Sequence, residues 1–153
     1  MNLLLWRHAE AQDTSDPALD HQRKLTPRGE KQAARMARWL DRQLPHGTRV
    51  WVSPATRAEQ TAMALGRSYK VCPELAPEAD LRQALELIQW PRNKGHLVLV
   101  GHQPLLGQLL ASLLNVSPES CPIKKGSIWW LRYKDQPAPS KTVLLTVQTP
   151  DTL

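Results

Sequence analysis

The sequence has few cysteines, and this scarcity excludes two ways of stabilising a small domain. Cys72 and Cys121 are the only two, and they lie far apart in the chain. A disulfide framework needs a denser set of cysteines, and a structural zinc site needs closely spaced Cys or His ligands, which are also missing. We therefore expect both thiols to be reduced.

The sequence also lacks a long apolar segment, a linker and an internal repeat. No stretch approaches the length of a membrane span, and the first residues lack the basic region, apolar core and cleavage site of a signal peptide. A chain of 153 residues is long enough for one domain and short for two. These features predict a single domain over residues 1–153, a cytoplasmic location and no association with a membrane.

Basic runs are missing as well, although the chain is basic overall. The formal net charge is +6, which favours anionic partners such as nucleic acid, acidic membrane or phosphorylated groups. Lys124-Lys125 is the only pair of adjacent lysines, and no basic stretch is interleaved with aromatic residues on which single-stranded nucleic acid would stack. We therefore expect an anionic substrate and no nucleic acid.

Three short apolar runs are present, and each leads into basic residues. An apolar run without alternation is typical of a strand covered on both faces, as in a parallel sheet. Ligands of open α/β sheets bind just beyond the carboxyl ends of the strands. The residues expected to meet at that edge are Arg7 and His8 after the first run, Arg57 after the second and His102 after the third.

The order of the elements predicts an α/β fold. Parallel strands are expected at residues 2–7, 49–52 and 97–100, with helices between and after them. Two further β segments, residues 127–133 and 142–148, have a spacing that permits an antiparallel pair on the sheet edge. We predict three layers: a mostly parallel central sheet, helices on both faces and an antiparallel C-terminal edge.

Two predicted helix starts share one pattern, a hydroxyl residue followed by proline. Thr26-Pro27 and Ser53-Pro54 each place a capping side chain before a proline suited to the first helical position. Residues 9–24, which precede the first of these helices, are rich in turn-forming residues. We predict that they form a loop that lies over the site.

Two imidazoles and two guanidiniums suit phosphoryl transfer. Arginine remains charged at physiological pH, and its planar fork pairs with phosphate oxygens. A neutral imidazole nitrogen can attack phosphorus and hold the group covalently. Taken singly, Arg57 would be a surface arginine in an early helical turn, and His102 would be a partner of a helix cap. The three stretches together favour the catalytic interpretation.

The same stretches resemble the motifs of the histidine phosphatase superfamily, also called the phosphoglycerate mutase-like family. The matching residues are Arg7-His8, then Ser53-Pro54 with Arg57 and Gln60-Thr61-Ala62, then Val100-Gly101-His102. Within the superfamily the chain is similar to the small phosphohistidine phosphatases of the SixA type. That similarity involves Arg23-Lys24-Leu25-Thr26 with Gly29, Pro73-Glu74-Leu75 and Gly101-His102-Gln103-Pro104. It extends from Asn2 to about Tyr133.

The resemblance implies a phosphatase with a covalent phospho-His8 intermediate. Arg7 and Arg57 would hold the phosphoryl oxygens, and His102, protonated beside the phosphate, would add a third cationic donor. Arg23 matches an additional arginine of the SixA-type pattern and is expected to reach the phosphate or the substrate around it. No metal or other cofactor is expected, because these side chains supply the positive charge and the histidines lack metal-ligand spacing.

The sequence leaves the general acid and the substrate open. Some superfamily members have an aspartate directly after the second histidine, where this chain has Gln103, and Glu78 or Asp80 is an alternative acid. A phosphohistidine leaves as an imidazole, which needs less help than an alkoxide, so a phosphohistidine in a partner phosphotransfer protein is the favoured substrate. The alternatives are a broad-specificity small-molecule phosphomonoesterase and a non-catalytic phosphoprotein-binding module. Since nothing in the sequence suggests a coiled coil or a large exposed apolar helix, we expect a monomer.

Overall fold

Six strands form one mixed sheet in a computed structural model that describes residues 1–153. They are β1 (Asn2–Arg7), β2 (Arg49–Val52), β3 (Lys70–Val71), β4 (His96–Gly101), β5 (Ile128–Lys134) and β6 (Lys141–Gln148). Their order across the sheet is β3-β2-β4-β1-β5-β6. Strands β1 to β4 pair in parallel, whereas β5 is antiparallel to β1 and β6 is antiparallel to β5. The predicted parallel sheet with an antiparallel C-terminal edge is confirmed.

Helices cover both faces of this sheet. They are α1 (Pro27–Gln43), α2 (Thr56–Met63), α3 (Leu81–Ile88) and α4 (Leu105–Leu114), with 3₁₀ helices at Pro17–Gln22, Pro73–Leu75 and Pro118–Ser120. Leu4 and Trp6 of β1 pack with α1 and α2 on one face, and Leu3 and Leu5 pack with α3 and α4 on the other. Because β1 is buried on both faces, its sequence is apolar without alternation.

The register of the parallel strands brings their carboxyl ends level. Arg7 pairs with Gly101 of β4, and Val52 of β2 pairs with Val100. One further hydrogen bond follows the last residue of β1 and of β2. The His8 N–H donates to the Gly101 carbonyl and the Ser53 N–H donates to the Val100 carbonyl, each at 3.0 Å. The residues that follow β1, β2 and β4 therefore start from one edge of the sheet.

One of the two predicted helix starts is correct. The Thr26 hydroxyl accepts a hydrogen bond from the Gly29 N–H at 3.0 Å, and Pro27 is the first residue of α1. The start at Ser53-Pro54 is wrong, because α2 begins at Thr56 after Ala55, which makes no side-chain cap. The Ser53 hydroxyl accepts from Ala55 N–H at 3.2 Å and also contacts His102, so this residue belongs to the site and not to a helix cap.

The segment 9–24 is more ordered than predicted. Residues 17–22 form a 3₁₀ helix, whose N-cap Asp16 accepts from the Ala18 N–H at 3.0 Å. Ala11 forms an isolated antiparallel bridge with Leu25, which closes the segment into a compact loop. The predicted loop therefore contains one regular element, a 3₁₀ helix at Pro17–Gln22, that the sequence did not indicate.

Two expectations from composition can be compared with the structure. Cys72 and Cys121 are both buried and free, as expected for reduced thiols. No helix has the length and apolar character needed to cross a membrane.

Candidate active site

The side chains predicted to form a site converge at the carboxyl edge of the parallel strands. The His8 and His102 rings lie 5.1 Å apart, centroid to centroid, at an interplanar angle of 52°. Arg57 is 3 % exposed, His102 is 3 % exposed and His8 is 5 % exposed. Burying cations and imidazoles together costs desolvation free energy, and these groups do not stabilise one another. Their convergence therefore indicates a functional site and not an ordinary strand end.

One hydrogen bond determines the tautomer of His8. Its Nδ1 lies 2.7 Å from the carbonyl oxygen of Ala9. A carbonyl oxygen can only accept, so Nδ1 carries the hydrogen and the lone pair of the neutral ring is on Nε2. Burial, together with the positive charges of Arg57, Arg7 and Arg23, lowers the pKa of His8 to about 4, although the Ala9 hydrogen bond opposes this shift. His8 is therefore a neutral imidazole with a free nucleophilic nitrogen at neutral pH.

His102 is held through Nε2, whereas His8 is held through Nδ1. Its Nε2 lies 2.7 Å from the Ser53 hydroxyl oxygen, and its Nδ1 is buried without a hydrogen-bond partner. Burial is the main reason that the pKa of His102 falls to about 2, and the neighbouring His8 and Arg57 lower it further. His102 is therefore also neutral in this structure, and its protonated state beside a phosphate stays a prediction.

Arg57 is held by Asp20, a residue of the 3₁₀ helix over the site. Its Nη1 donates to the Asp20 carbonyl oxygen at 2.7 Å, and its Nη2 donates to the Asp20 carboxylate at 3.2 Å. Arg23 Nε donates to the other carboxylate oxygen of Asp20 at 3.0 Å. Burial acts to raise the pKa of Asp20, but the hydrogen bonds and charges of Arg23 and Arg57 outweigh it and hold that pKa below its usual value.

Arg7 is anchored in a similar way on the opposite side of the site. Its Nη1 donates to the Ile123 carbonyl at 2.8 Å, in the segment that leads into β5. The Nε atoms of Arg7 and Arg57 are both buried and without partners. Arg7 is thus held through Nη1 and Arg57 through Nη1 and Nη2, and each guanidinium retains a buried Nε donor without a partner.

The second motif contributes residues that hold the backbone around His8. Thr61 on α2 accepts from the Ala9 N–H at 3.1 Å through its hydroxyl oxygen, and the Gln60 side chain accepts from the Leu25 N–H at 2.7 Å. The first contact fixes the residue whose carbonyl orients His8. The second fixes the end of the loop that carries Asp20 and Arg23.

Two residues of the site were not singled out from the sequence. In the sequence, Asp20 is one of the turn-forming residues of segment 9–24, and Ser53 is a predicted helix cap and a motif residue. The available signal for Asp20 was its spacing of three residues before Arg23, which places the carboxylate and guanidinium on the same side of one helical turn.

The two alternative general acids lie in other roles. Asp80 is the N-cap of α3, where its carboxylate accepts from the Gln83 N–H at 2.9 Å. Glu78 lies 2.9 Å from His21 Nε2 with 68 % of its side chain exposed. Its pKa is lowered by hydrogen bonds from its own backbone and from His21, so it is ionised at neutral pH. Gln103 accepts from the Gly107 N–H at 2.8 Å in the first turn of α4.

Comparison with known proteins identifies the family. Residues 3–84 match the family model of the histidine phosphatase superfamily, branch 1. The chain belongs to this superfamily. The matched region contains Arg7, His8 and Arg57, whereas His102 lies beyond it.

Individual relatives extend the similarity over most of the chain. Phosphohistidine phosphatase SixA of Escherichia coli (strain K12) is 36 % identical over 121 residues, which cover 74 % of each chain. A solved structure of the protein histidine phosphatase SixA complexed with tungstate has a TM-score of 0.81 at 29 % identity and covers 99 % of this chain and 98 % of its own. A putative SixA from Nakamurella multipartitia has a TM-score of 0.77 at 27 % identity, with 97 % and 95 % covered. Together with the family match, these similarities support a phosphatase of the SixA-like histidine phosphatase fold.

Proposed function

We propose that the protein hydrolyses phosphohistidine in a partner protein through a covalent phospho-His8 intermediate. The observation that carries the proposal is the 2.7 Å hydrogen bond from His8 Nδ1 to the Ala9 carbonyl, which leaves Nε2 as a free nucleophile. The similarity to SixA of Escherichia coli supports the choice of phosphohistidine as substrate. We also propose that residues 1–153 act as one domain and as a monomer.

In the first step, the Nε2 lone pair of His8 attacks phosphorus. The bond from phosphorus to the substrate imidazole breaks, its electron pair stays on that imidazole, and the leaving nitrogen takes a proton from water. The buried Nε donors of Arg7 and Arg57 bind the equatorial oxygens on which charge is greatest during transfer. Because both guanidiniums are already fixed by carbonyl groups, little reorganisation is needed when the phosphoryl group enters.

In the second step, water attacks phosphorus on the side opposite His8. The bond between phosphorus and Nε2 breaks, its electron pair returns to the imidazole, one proton of the water passes to solvent, and phosphate leaves. The arginines supply positive charge in both steps, and we propose that no metal or other cofactor takes part.

His102 changes protonation state when the substrate binds. Its neutral form results mainly from burial among other cationic groups. A phosphoryl group introduces negative charge next to the ring and raises the pKa of His102, because an opposite charge within a few ångströms favours the charged form. The unpartnered Nδ1 then becomes available as a donor to a phosphoryl oxygen.

The leaving group explains why no buried carboxylic acid is needed. Asp80 caps α3 and Glu78 is exposed and ionised, so neither is prepared to protonate an alkoxide. An imidazole leaves without a strong acid. This favours a phosphoramidate over a sugar phosphate as substrate.

The test is replacement of His8 by alanine. His8→Ala should abolish both hydrolysis of a phosphorylated histidine-phosphotransfer domain and the trapping of labelled phosphoenzyme after rapid acid-free quenching. His46→Ala, which removes an exposed histidine, is the matched control and should leave both unchanged. Full activity of His8→Ala would contradict the mechanism, and faster turnover of common phosphate esters than of phosphohistidine would contradict the substrate.

A further inference from the structure

The outward face of α1 carries an unbroken row of cations. Five basic residues recur at intervals of three and four positions, which places them within an arc of about 80° at 3.6 residues per turn. We refer to this row as the α1 basic face, and it consists of Arg28, Lys31, Arg35, Arg38 and Arg42, all exposed. It extends about 21 Å at a rise of 1.5 Å per residue. The inward side chains of α1, including Met36 and Leu40, lie on the opposite side of the helix.

No carboxylate forms an ion pair with the α1 basic face, although Leu153, the last residue of the sequence, lies in the same cavity as Arg35, Arg38 and Arg42. None of its five residues forms an ion pair, whereas several other arginines do, such as Arg67 with Asp41 and Arg82 with Glu86. The two acidic residues of α1, Glu30 and Asp41, lie outside the arc on the helical wheel. The only hydrogen bond made by any of the five side chains is from Arg35 to the Pro150 carbonyl, at 3.0 Å. Like charges three and four residues apart destabilise a helix. The row therefore lowers the stability of α1, and a role in folding does not explain it.

The N-terminal end of the α1 basic face adjoins the active site. In the first turn of α1, Gly29 lies against the Glu10 carbonyl so closely that a Cβ there would overlap it, and Glu10 is only two residues from His8. Gln32 of the same helix accepts from the Glu10 N–H at 3.0 Å. The basic face therefore starts at the rim of the site and runs away from it along the side of the molecule.

Two further cations lie between this rim and the catalytic groups. Lys124 and Lys125 are exposed and occupy the short segment between Ile123, whose carbonyl accepts from Arg7, and Gly126, whose N–H donates to the His8 carbonyl at 3.0 Å. A Cβ at Gly126 would lie 3.7 Å from Gln32 Oε1, so this segment is adjacent to the first turns of α1. The two lysines thus extend the α1 basic face to the mouth of the site.

We propose that the α1 basic face and Lys124-Lys125 dock an acidic surface of the protein that presents the phosphohistidine. This inference rests on the proposed function and adds how the substrate protein is selected. Opposite charges on two surfaces raise the rate of encounter and fix the orientation in which they meet. An acidic surface aligned along α1 would bring a phosphorylated side chain over His8.

A protein partner suits this face better than a nucleic acid. The row is straight, lies on one helix and ends at a pocket with a nucleophile, so its occupant has to deliver a phosphorylated side chain there. Single-stranded nucleic acid stacks its bases on exposed aromatic side chains, and Trp39, which lies beside Arg35 and Arg38, is half-buried and packs against the core. Binding of nucleic acid to the same face remains a distinct outcome of the test below.

The test uses two variants with the same change of net charge. The first is Arg28→Gln, Lys31→Gln, Arg38→Gln and Arg42→Gln combined; these four side chains make no hydrogen bond or ion pair, and glutamine retains their helix propensity. The matched control combines Arg92→Gln, Lys94→Gln, Lys134→Gln and Lys141→Gln. These residues are exposed and lie at the opposite end of the sheet, before β4 or at the paired ends of β5 and β6.

Both variants and the unmodified protein are assayed on three substrates at low and high salt. The substrates are a phosphorylated histidine-phosphotransfer domain with an acidic surface around its phosphohistidine, a version with that surface neutralised, and phosphoimidazole. The α1 variant should lose about 10-fold or more of kcat/KM on the acidic domain at low salt, which is the lower end of electrostatic steering effects. The α1 variant should retain its rate on phosphoimidazole, which has no acidic surface. The control variant should change kcat/KM by less than about 2-fold on every substrate, because salt screens charges that lie far from the site.

Each other outcome has a distinct meaning. Equal losses in the two variants would reduce the effect to net charge and overturn the docking proposal, as would an unchanged rate of the α1 variant on the acidic domain. If the unmodified protein hydrolyses none of the three substrates, the proposed function itself is wrong. Binding of a labelled RNA or DNA oligonucleotide at physiological salt that is lost only in the α1 variant would assign the face to nucleic acid instead.

Discussion

Asp20 is a half-buried anion between two arginines. Its carboxylate binds Arg23 with one oxygen and Arg57 with the other, and its backbone carbonyl binds Arg57 as well. Without this carboxylate the two guanidiniums would repel each other, and the largely buried Arg57 would lose a charged partner. Asp20 therefore acts through the arginines, and we regard it as a positioning residue.

Replacement of Asp20 by asparagine should impair substrate binding. Asp20→Asn preserves size and the backbone carbonyl but removes the charge, and hydrogen bonds to charged groups are worth about 1.5–3 kcal/mol, so kcat/KM should fall by about 10-fold or more. Inhibition by inorganic phosphate, the product of the proposed reaction, should weaken in parallel, and the melting temperature should fall by several degrees because Arg57 loses a charged partner. Asp13→Asn, an exposed aspartate in the same loop, is the control. An unchanged inhibition constant for inorganic phosphate in Asp20→Asn would show that Asp20 does not position the arginines.

The His8 imidazole should remain neutral well into the acid range. Its pKa of about 4 results from burial and from the nearby arginines, so protonation should begin only well below the value of about 6.5 typical of free histidine. Long-range ¹H–¹⁵N NMR of the labelled protein measures both features at once. The spectra should show hydrogen on Nδ1 at pH 6 and a midpoint near 4, with the denatured chain as the reference. Hydrogen on Nε2, or a midpoint near 6.5, would contradict the assigned nucleophile.

At this scale the sequence identified the reactive groups better than the groups that hold them. Arg7, His8, Arg57 and His102 follow strands whose apolar runs are visible in the sequence, so their meeting point could be predicted. The contacts of Asp20 depend on how a 16-residue loop folds back over α2, and no periodic pattern encodes that path. The catalytic roles of Arg7, His8, Arg57 and His102 stay predictions.

At the scale of the elements, Gly29 couples α1 to the site. A Cβ at this position would overlap the Glu10 carbonyl, whereas alanine in an unobstructed helix position is more stable than glycine by about 1 kcal/mol. Gly29→Ala should therefore destabilise the protein, by about 1–3 kcal/mol as in other overpacked sites, and should lower kcat/KM because Glu10 and the backbone near His8 shift.

Gly47→Ala is the matched control, since no atom lies within 4 Å of its would-be Cβ. Unfolding in urea and steady-state kinetics on the two variants provide the measurement. A stabilised Gly29→Ala variant would mean that α1 moves away from Glu10 without consequence.

The two helix starts show where local patterns are sufficient and where they are not. Thr26 caps α1 because its hydroxyl has a helical N–H three residues ahead, which is a local contact. Ser53 has the same sequence signature, but its hydroxyl contacts His102, which is 49 positions away in the chain. Tertiary contacts thus displaced the cap, and α2 starts at Thr56. The same limitation hid the 3₁₀ helix of Pro17–Gln22, although Asp16-Pro17 has a capping signature of its own.

At the scale of the whole molecule, the two buried histidines should make stability depend on pH. Their folded-state pKa values of about 4 and about 2 lie below the value of about 6.5 for an unfolded chain. Below pH 6.5 the unfolded chain therefore binds protons that the folded protein excludes, and the free energy of unfolding falls as the pH falls. Between pH 6.5 and pH 5 the loss should be about 1–2 kcal/mol for each histidine.

Chemical denaturation at pH 7.5, 6.5 and 5 measures this dependence. The double variant His8→Asn with His102→Asn should show a shallower fall over the same range, because neither asparagine titrates. Equal slopes for the two proteins would place the acid sensitivity in other groups.

The layered architecture could be predicted because each level of the sequence agrees with it. Uninterrupted apolar strands require cover on both faces, and the apolar faces of α1 and α4 provide it. The sheet order could not be predicted from composition or periodicity, since the position of β1 between β4 and β5 depends on pairings between distant segments.

The location of β1 has a consequence for how the protein is made. This strand is first in chain order, yet its two neighbours are formed by residues 96–101 and 128–132. Synthesis proceeds from the N-terminus, so β1 stays unpaired until residues 96–101 and 128–132 have been synthesised and have left the ribosome. Late pairing of strands that are distant in the chain slows folding and leaves an aggregation-prone apolar segment exposed. We expect ribosome-bound chains that end before β5 to bind chaperones through residues 2–6 and to lack phosphatase activity.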